Sequence, residues 1–152
     1  MLFKLIQSAF IALVLACCGC QGREAGGSSG LYEGRNSNDV RPTIIVYYFH
    51  RTARCPTCIA IELNTHQVIR DHFQEQVADG RLMWMPINLD EPGGEEFEKE
   101  FDIGISTLVV AKILDGNRIE YKKLNEVWTL LRDQEGFSEY VTDEINEFLN
   151  DK

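Results

Sequence analysis

The sequence predicts an α/β domain in which a mixed central sheet is covered by helices on both faces. Apolar, β-branched and aromatic runs at 44–49, 82–87 and 107–114 have the composition of strands. Helical patterns separate these three runs, which is typical of parallel strands joined by a crossover helix. The hairpin turn at 115–117, Asp-Gly-Asn, then brings a fourth strand back antiparallel to the third.

The first strand and the helix after it are the most strongly patterned part of the chain. The strand, Ile44 to Phe49, has no polar break and is expected to be buried on both faces. The helix begins near Pro56, whose missing N–H costs nothing in a first turn, and Gly80 is its stop signal. Apolar positions three or four residues apart make up one face, as in a face that packs on a sheet. This predicted face contains Ile59, Leu63, His66, Ile69 or Arg70, Phe73 and Val77.

The remaining elements are shorter. Pro86 lies in the second strand and indicates an edge strand or a late break. The other predicted elements are a turn-rich loop at 88–94, a short acidic helix at 95–101, the fourth strand at 118–124, a short helix at 125–131 and a longer helix at 138–149.

Composition limits the function classes. The chain has 152 residues, of which 44% are apolar and 26% charged, and this suits one globular domain with a sizeable core. Acidic residues outnumber basic ones by 24 to 15, so the formal charge is −9. A field of that sign repels phosphate backbones, so we expect no nucleic-acid partner. Repeat arrays, collagen-like chains and polytopic membrane proteins are excluded as well.

The first 16 residues resemble a bacterial lipoprotein signal peptide. Lys4 and the apolar run from Leu5 to Ala16 have the order of a secretory signal. The run is too short to cross a bilayer as a helix, although an uncleaved membrane anchor is the alternative. Leu13 to Cys17 resembles a lipobox, which makes Cys17 the predicted lipidation site. Cys18 and Cys20 fit that pattern less well and are assigned no chemistry.

Residues 17–41 are predicted to be a lipid-anchored, flexible tether, because they contain Gly26 to Gly30 and show no apolar periodicity. About 20 such residues span roughly 25 Å. The folded domain, residues 42–152, would then lie just off a bacterial membrane, in the periplasm or otherwise outside the cytoplasm. From there it could reach membrane proteins.

The cysteine pair Cys55 and Cys58 is the strongest chemical signal. A C-x-x-C pair between a strand and a helix indicates a thioredoxin-like redox motif. Cys55 is expected just outside the helix, where free N–H groups and the helix dipole favour a thiolate. Cys58 is one turn further on and can close a disulfide. We therefore predict that Cys55 is the nucleophile and Cys58 the resolving thiol.

Residues beside the pair are predicted to support it. Arg51, Arg54 and His50 are expected to place positive charge at the approach, in an otherwise acidic domain. His50 could also assist proton transfer, or be only a polar strand end. Pro56 and Thr57 separate the two cysteines and belong to the first helical turn.

The sequence from 42 to 149 resembles thioredoxin-fold proteins. Cys-Pro-Thr-Cys at 55–58 stands at their redox position, and Gly104 to Val109 resembles their Gly-Ile-Pro-Thr-Leu segment. The segments 47–58, 88–92 and 126–128 are similar to a small bacterial C-P-T-C family with an arsenic-associated, nitroreductase-subunit label.

The resemblance implies a substrate groove next to the cysteines, formed partly by Ser106 and Thr107. Ser106 stands where thioredoxins carry a cis-proline that shapes this groove and discourages metal binding. A non-proline residue rarely holds a cis bond, which costs about 2.5–4 kcal/mol. The acidic residue that thioredoxins place beneath the resolving cysteine has no counterpart in the first strand.

We therefore predict a membrane-tethered, extracytoplasmic thiol–disulfide oxidoreductase with no cofactor. Its partners would be protein or small-molecule disulfides or dithiols, together with a membrane electron-transfer partner. The alternative is a non-enzymatic module that binds a soft metal or metalloid through Cys55 and Cys58. Half of a zinc site and an inert structural disulfide also remain open. His50, His66 and His72 are the only histidines, and the last two lie on different sides of one helix.

Overall fold

In residues 41–151, the part of the chain that the computed structural model describes, the four strands follow the predicted order, with helices between the first three and a hairpin between the last two. The elements are β1 Thr43–His50, α1 Pro56–His72, α2 Gln74–Ala78, β2 Leu82–Asn88, α3 Gly94–Phe101, β3 Thr107–Leu114, β4 Asn117–Lys123, α4 Val127–Leu130 and α5 Gln134–Asn150. The predicted signal peptide, the lipidation site Cys17 and the tether up to residue 40 lie outside the described residues.

The sheet is mixed, with the strand order β2-β1-β3-β4. β1 pairs with β2 in parallel, and α1 and α2 form the crossover connection between these two strands. β3 runs antiparallel to both β1 and β4. β2 is an edge strand of this sheet, as Pro86 indicated.

Side chains on the two faces of the sheet form two separate cores, because successive residues of a strand point to opposite faces. On one face, Tyr48 and its neighbours pack against buried side chains of α1 and α5. On the other, Tyr47 and Phe49 pack against Phe97 and Phe101 of α3. The predicted α/β architecture with helices on both faces is thus confirmed, and the chain has a thioredoxin-like fold.

The predicted packing face of α1 is confirmed at Ile69 and, just past the helix, at Phe73, but it is wrong at its start. Ile59 and Leu63 are 42% and 61% exposed, whereas the buried residues of α1 are Ile61, Thr65, Val68 and Ile69. The reason is the rotation of the helix, whose first turn is fixed by a hydrogen bond from β1 to the Cys58 carbonyl. Residues three and seven positions after Cys58 share its side of the helix and face the sheet.

The end of the helix also differs from the prediction. α1 stops at His72, and buried Phe73, with φ −127°, separates it from α2. Val77 belongs to α2 and is 45% exposed. Gly80 follows α2 with a φ of +77°, a conformation that favours glycine, so it ends the second helix and not the first. No helix within residues 41–151 has the length and apolar character that a membrane crossing requires.

Candidate functional site: the Cys55–Cys58 pair

The two cysteines lie where β1 gives way to α1. Cys55 is the N-cap of α1, with extended backbone angles of φ −81° and ψ 157°. Its Sγ accepts a hydrogen bond of 3.1 Å from the backbone N–H of Cys58. The Cα atoms are 5.2 Å apart and the two sulfurs are at disulfide distance. The predicted placement of the pair at the start of the helix is therefore confirmed.

The two cysteines differ in their exposure to solvent. Cys55 is exposed, and so are Pro56 and Thr57 after it, whereas Cys58 is half-buried. A molecule that approaches from solvent therefore reaches Cys55 before Cys58. This is the asymmetry that an attacking and a resolving thiol require.

The start of α1 is electrostatically suited to a thiolate. Pro56 occupies the first helical position, where no N–H is needed, and the first turn contains no acidic residue. The positive end of the helix dipole and the free N–H groups are thus opposed by no carboxylate of that turn. A sulfur at the N-cap receives this field directly, which favours its ionised form.

Tyr48 is a site residue that the sequence reasoning missed. It is fully buried in β1, and its phenol donates a 2.7 Å hydrogen bond to the backbone carbonyl of Cys58. Burial raises the pKa of Tyr48, while hydrogen bonding to Ser106 and the charge of Arg54 act to lower it. Because the pKa stays above its usual value, the phenol is protonated at neutral pH and remains a donor.

Arg54 lies next to Cys55 and is held on both sides. Its guanidinium forms an ion pair with Glu62 of α1 and lies 5.9 Å from the centre of the Tyr48 ring. Its Nε is buried and has no hydrogen-bond partner within the described part of the chain. Arg54, which directly precedes the cysteine pair, is therefore connected to the second turn of α1.

Arg51 connects three loops near the pair. It forms a 3.0 Å ion pair with Asp90 after β2, a second ion pair with Glu98 of α3, and a 3.4 Å hydrogen bond to the Gly104 carbonyl. The backbone N–H of Thr52 donates to Asp90 at 2.7 Å. That bond, followed by the Arg51 side chain, lowers the pKa of Asp90.

These ion pairs correct the predicted electrostatics of the site. Arg51 and Arg54 were expected to leave excess positive charge at the approach to the cysteines. Instead their two guanidinium groups are paired with three carboxylates, those of Asp90, Glu98 and Glu62. Asp90 and Glu98 are distant from Arg51 in sequence, and Glu62 reaches Arg54 from α1. The pairing therefore depends on the fold.

The other predicted supporting residues lie at the ends of β1 and β3. His50 is the last residue of β1, and its Nδ1 donates to the Arg51 carbonyl at 3.1 Å. Ser106 is half-buried, and every peptide bond of residues 41–151 is trans. Thr107 begins β3, is buried, and donates through Oγ1 to the Ile105 carbonyl at 2.9 Å. Of these residues, Ser106 acts on the Tyr48 phenol, whose pKa it lowers.

The described residues contain no group of three or more His, Cys, Asp or Glu side chains that could hold a metal. His66 is exposed, and its ring lies parallel to Trp84 at 6.2 Å. His72 lies 3.5 Å from the Ser138 hydroxyl. The two histidines of α1 thus have separate neighbours.

Simple signals could have located part of the missed set. Tyr48 is a polar residue in the strand directly before the pair, and its hydroxyl, like a carboxylate at that place, can reach the cysteines. Glu62 lies four positions after Cys58, one helical turn away. Asp90 and Glu98 have no such local signal, since they reach Arg51 across 39 and 47 positions of sequence.

No family model and no curated protein matches the sequence. Among solved structures, the germline-specific thioredoxin Deadhead of Drosophila melanogaster is 15% identical, with 69% of this chain and 80% of that chain covered and a TM-score of 0.43. Oxidised thioredoxin O2 of Arabidopsis thaliana is 16% identical, with 63% and 76% covered and a TM-score of 0.40. The thioredoxin of Fasciola hepatica is 21% identical, with 64% and 81% covered and a TM-score of 0.38.

Overlaps at these identities and TM-scores carry nothing about activity, substrate or partner. The chemistry of this chain is therefore inferred from its own sheet order and from the cysteine pair at the start of α1.

Proposed function

We propose that the protein is a thiol–disulfide oxidoreductase that uses Cys55 as nucleophile and Cys58 as resolving thiol. The observation that carries this proposal is the exposed Cys55 at the N-cap of α1, bonded to a half-buried Cys58. A structural disulfide gains nothing from one exposed partner in the field of a helix N-terminus, whereas an exchanging pair needs that arrangement.

The proposed exchange is balanced by the two sulfurs alone. The Cys55 thiolate attacks a substrate disulfide, so that a mixed disulfide forms and one substrate thiolate leaves. Cys58, as its thiolate, then attacks the Cys55 sulfur, closes the Cys55–Cys58 disulfide and releases the second substrate thiolate. The two leaving thiolates take up protons from solvent, and two electrons pass from the protein to the substrate. Run in reverse, the same steps oxidise a dithiol.

Apolar surface near the pair supports a protein as the substrate. Ile59, directly after Cys58, is 42% exposed, and Ile105, directly before Ser106, is 70% exposed. Exposed apolar side chains at this site are suited to bury against a partner. Small-molecule disulfides and dithiols remain further substrates in this proposal, and a membrane electron-transfer protein would renew the pair.

We also propose that the domain acts outside the cytoplasm, tethered to a bacterial membrane through a lipid on Cys17. The support is the apolar run before Cys17 and the Gly- and Ser-containing segment after it. Labelling with a fatty-acid analogue tests this. We expect the full chain and its Cys20→Ala variant to be labelled and to fractionate with membranes, and Cys17→Ala to lose both properties. Equal labelling of all three would contradict the proposal.

Trapping with paired cysteine variants tests the redox function. In Cys58→Ser the mixed disulfide on Cys55 has no resolving thiol, so partners should accumulate as adducts. Cys55→Ser is the matched control, because it removes the same number of thiols but leaves Cys58, the half-buried member of the pair. We expect adducts on the first variant and few on the second. Absence of adducts together with absence of disulfide turnover would contradict the redox function.

The same variants separate this function from the metal-binding alternative. If the pair binds a soft ion, the full chain purified under reducing conditions should carry it stoichiometrically, and either serine variant should weaken its retention. Elemental analysis of the wild-type chain and both variants distinguishes the two functions.

A further inference from the structure

The buried phenol of Tyr48 is a polar group at the site that the exchange steps do not use. It is fully buried, and its one hydrogen-bond donor is directed at the carbonyl of Cys58 over 2.7 Å. The carbonyl of a helical residue can also accept the N–H four positions later, since it has two lone pairs. The contact is therefore additional to the bonds that α1 makes within itself.

The peptide group that receives this bond is connected to both cysteines. Its carbonyl belongs to Cys58, and its N–H, that of Ile59, donates to the Cys55 carbonyl at 3.1 Å. The N–H of Cys58 in turn donates to the Cys55 sulfur at 3.1 Å. A hydrogen bond accepted at one end of a peptide group polarises the N–H at its other end. Tyr48 thus acts on the backbone that sets the distance between the two sulfurs.

The surroundings of the phenol keep it in place as a donor. Ser106 bonds to its side chain, and Arg54 lies over its ring, held by Glu62. Because burial raises the pKa of Tyr48, the phenol keeps its proton at neutral pH. A group that does not lose its proton is not a general base, which leaves the hydrogen bond as its contribution.

We propose that Tyr48 is a positioning residue that holds Cys58 within reach of Cys55 and thereby stabilises the closed disulfide. The inference rests on the proposed redox function and names a residue that controls it. Tyr48 reaches the resolving cysteine from β1 through its hydroxyl. It acts through the backbone of Cys58, and we assign it no contact with substrate.

A net hydrogen bond of ordinary strength sets the size of the effect. Replacing Tyr48 by Phe keeps the ring and removes the donor, so the equilibrium constant for closing the disulfide should fall about 3- to 10-fold. For a two-electron couple this makes the reduction potential about 15–30 mV less negative. Resolution of a mixed disulfide should slow by a similar factor, while the first attack by Cys55 should change less than about twofold.

The experiment equilibrates full-length Tyr48→Phe with glutathione buffers and reads the cysteines by differential alkylation and mass spectrometry. Trypsin releases residues 55–70 as one peptide, which contains both cysteines of the pair and none of Cys17, Cys18 and Cys20. Tyr47→Phe is the matched control, because Tyr47 is the neighbouring buried tyrosine and packs on the opposite face of β1. Ser106→Ala leaves the phenol but removes a partner of its oxygen, and serves if Tyr48→Phe does not fold.

We expect a less negative potential in Tyr48→Phe, about a twofold change in the same direction in Ser106→Ala, and no change in Tyr47→Phe. Equal shifts in the two tyrosine variants, or none in Tyr48→Phe and Ser106→Ala, would overturn the inference alone. A merely structural role would lower the stability of the oxidised and reduced protein equally and leave the potential unchanged. A wild-type pair without a reversible transition would instead overturn the proposed function, and this inference with it.

Discussion

Two adjacent tyrosines in β1 show how differently the two faces of the sheet are used. Tyr47 faces α3 and packs in an aromatic cluster, with its ring centre 5.3 Å from Phe49 and 5.4 Å from Phe101. Tyr48 faces α1, and its hydroxyl reaches the Cys58 carbonyl. The α3 face therefore supports the sheet by apolar packing, whereas the α1 face also carries a polar connection to the cysteine pair. We therefore expect that substitutions on the two faces can change stability and the proposed redox properties separately.

The largest expected effect separates packing from redox control. Phe101 is 1% exposed and touches Tyr47, Phe49 and Tyr121, so Phe101→Ala should lower the free energy of unfolding by about 3–5 kcal/mol. Leu63→Ala, at a 61% exposed position, should change it by less than about 0.5 kcal/mol. Chemical denaturation measures both.

The milder variant Phe101→Leu should leave the potential of the cysteine pair unchanged, because Phe101 packs with Tyr47 on the face of the sheet opposite to Tyr48. A shift as large as that expected for Tyr48→Phe would break the distinction between the two faces.

The second prediction concerns a polar group on the α1 face that does not reach the cysteines. Thr65 is fully buried and its hydroxyl has no hydrogen-bond partner within residues 41–151. Thr65→Val removes this unpaired hydroxyl and keeps the branched shape, so thermal unfolding should show stabilisation by about 1 kcal/mol. Thr57→Val, at an exposed position, is the control. Destabilisation by Thr65→Val would mean that the hydroxyl has a partner after all.

The third prediction tests the charge beside Cys55. Glu62 pairs with Arg54, so Glu62→Gln should leave the guanidinium charge free to act on a thiolate at Cys55. In the reduced protein, alkylation of Cys55 at fixed pH should then accelerate about threefold. Glu96→Gln removes the same charge from an exposed position of α3 and should have no such effect. Equal rates in the two variants would show that the Arg54–Glu62 pair does not influence Cys55.

The smallest expected effect is a pH dependence. The Thr52 N–H and then Arg51 lower the pKa of Asp90 below its usual 3.8, so the folded state binds this proton less readily than the unfolded state. The resulting stability is fully present above about pH 4 and is lost as the pH falls through the lower folded pKa. Thermal unfolding between pH 7 and 2 should show this loss in the wild-type chain and a smaller one in Asp90→Asn.

Asp79→Asn is the control for that series, because Arg81 lowers the pKa of Asp79 in the same way at a different place in the fold. Both variants should flatten the acid limb, and only Asp90→Asn should loosen the loop at 51–54. Identical alkylation rates of Cys55 in the two variants would contradict a link between Asp90 and the site.

The elements themselves follow closely from local pattern. The third strand is observed at the predicted residues 107–114, and Cys55 caps the helix as its place before Pro56 indicated. These features depend on neighbours in sequence, so a sequence pattern is enough to predict them. The rotation of α1 is different, because the stripe through Ile59 and Leu63 and the stripe through Ile61 and Thr65 have the same helical period.

The contacts of the site that the sequence did not predict show the same limit. Arg51 and Asp90 are far apart in sequence and meet only because parallel pairing of β1 and β2 places the loops after both strands at one edge of the sheet. Tyr48 could be identified as buried, but its hydrogen bond to Cys58 depends on how α1 crosses the strand. Such contacts are set by tertiary packing and have no local signal.

Titration of the wild-type pair tests whether Cys55 and Cys58 exchange between the disulfide and the dithiol. The full chain is equilibrated with thiol–disulfide buffers from about −350 to −100 mV, and the oxidised fraction of the 55–70 peptide is read by differential alkylation. We expect one reversible two-electron transition, at about −270 mV for a reductant or about −120 mV for an oxidant. A pair that stays wholly oxidised or wholly reduced throughout, or is shielded by a bound metal, would contradict the claim that Cys55 and Cys58 are an exchanging couple.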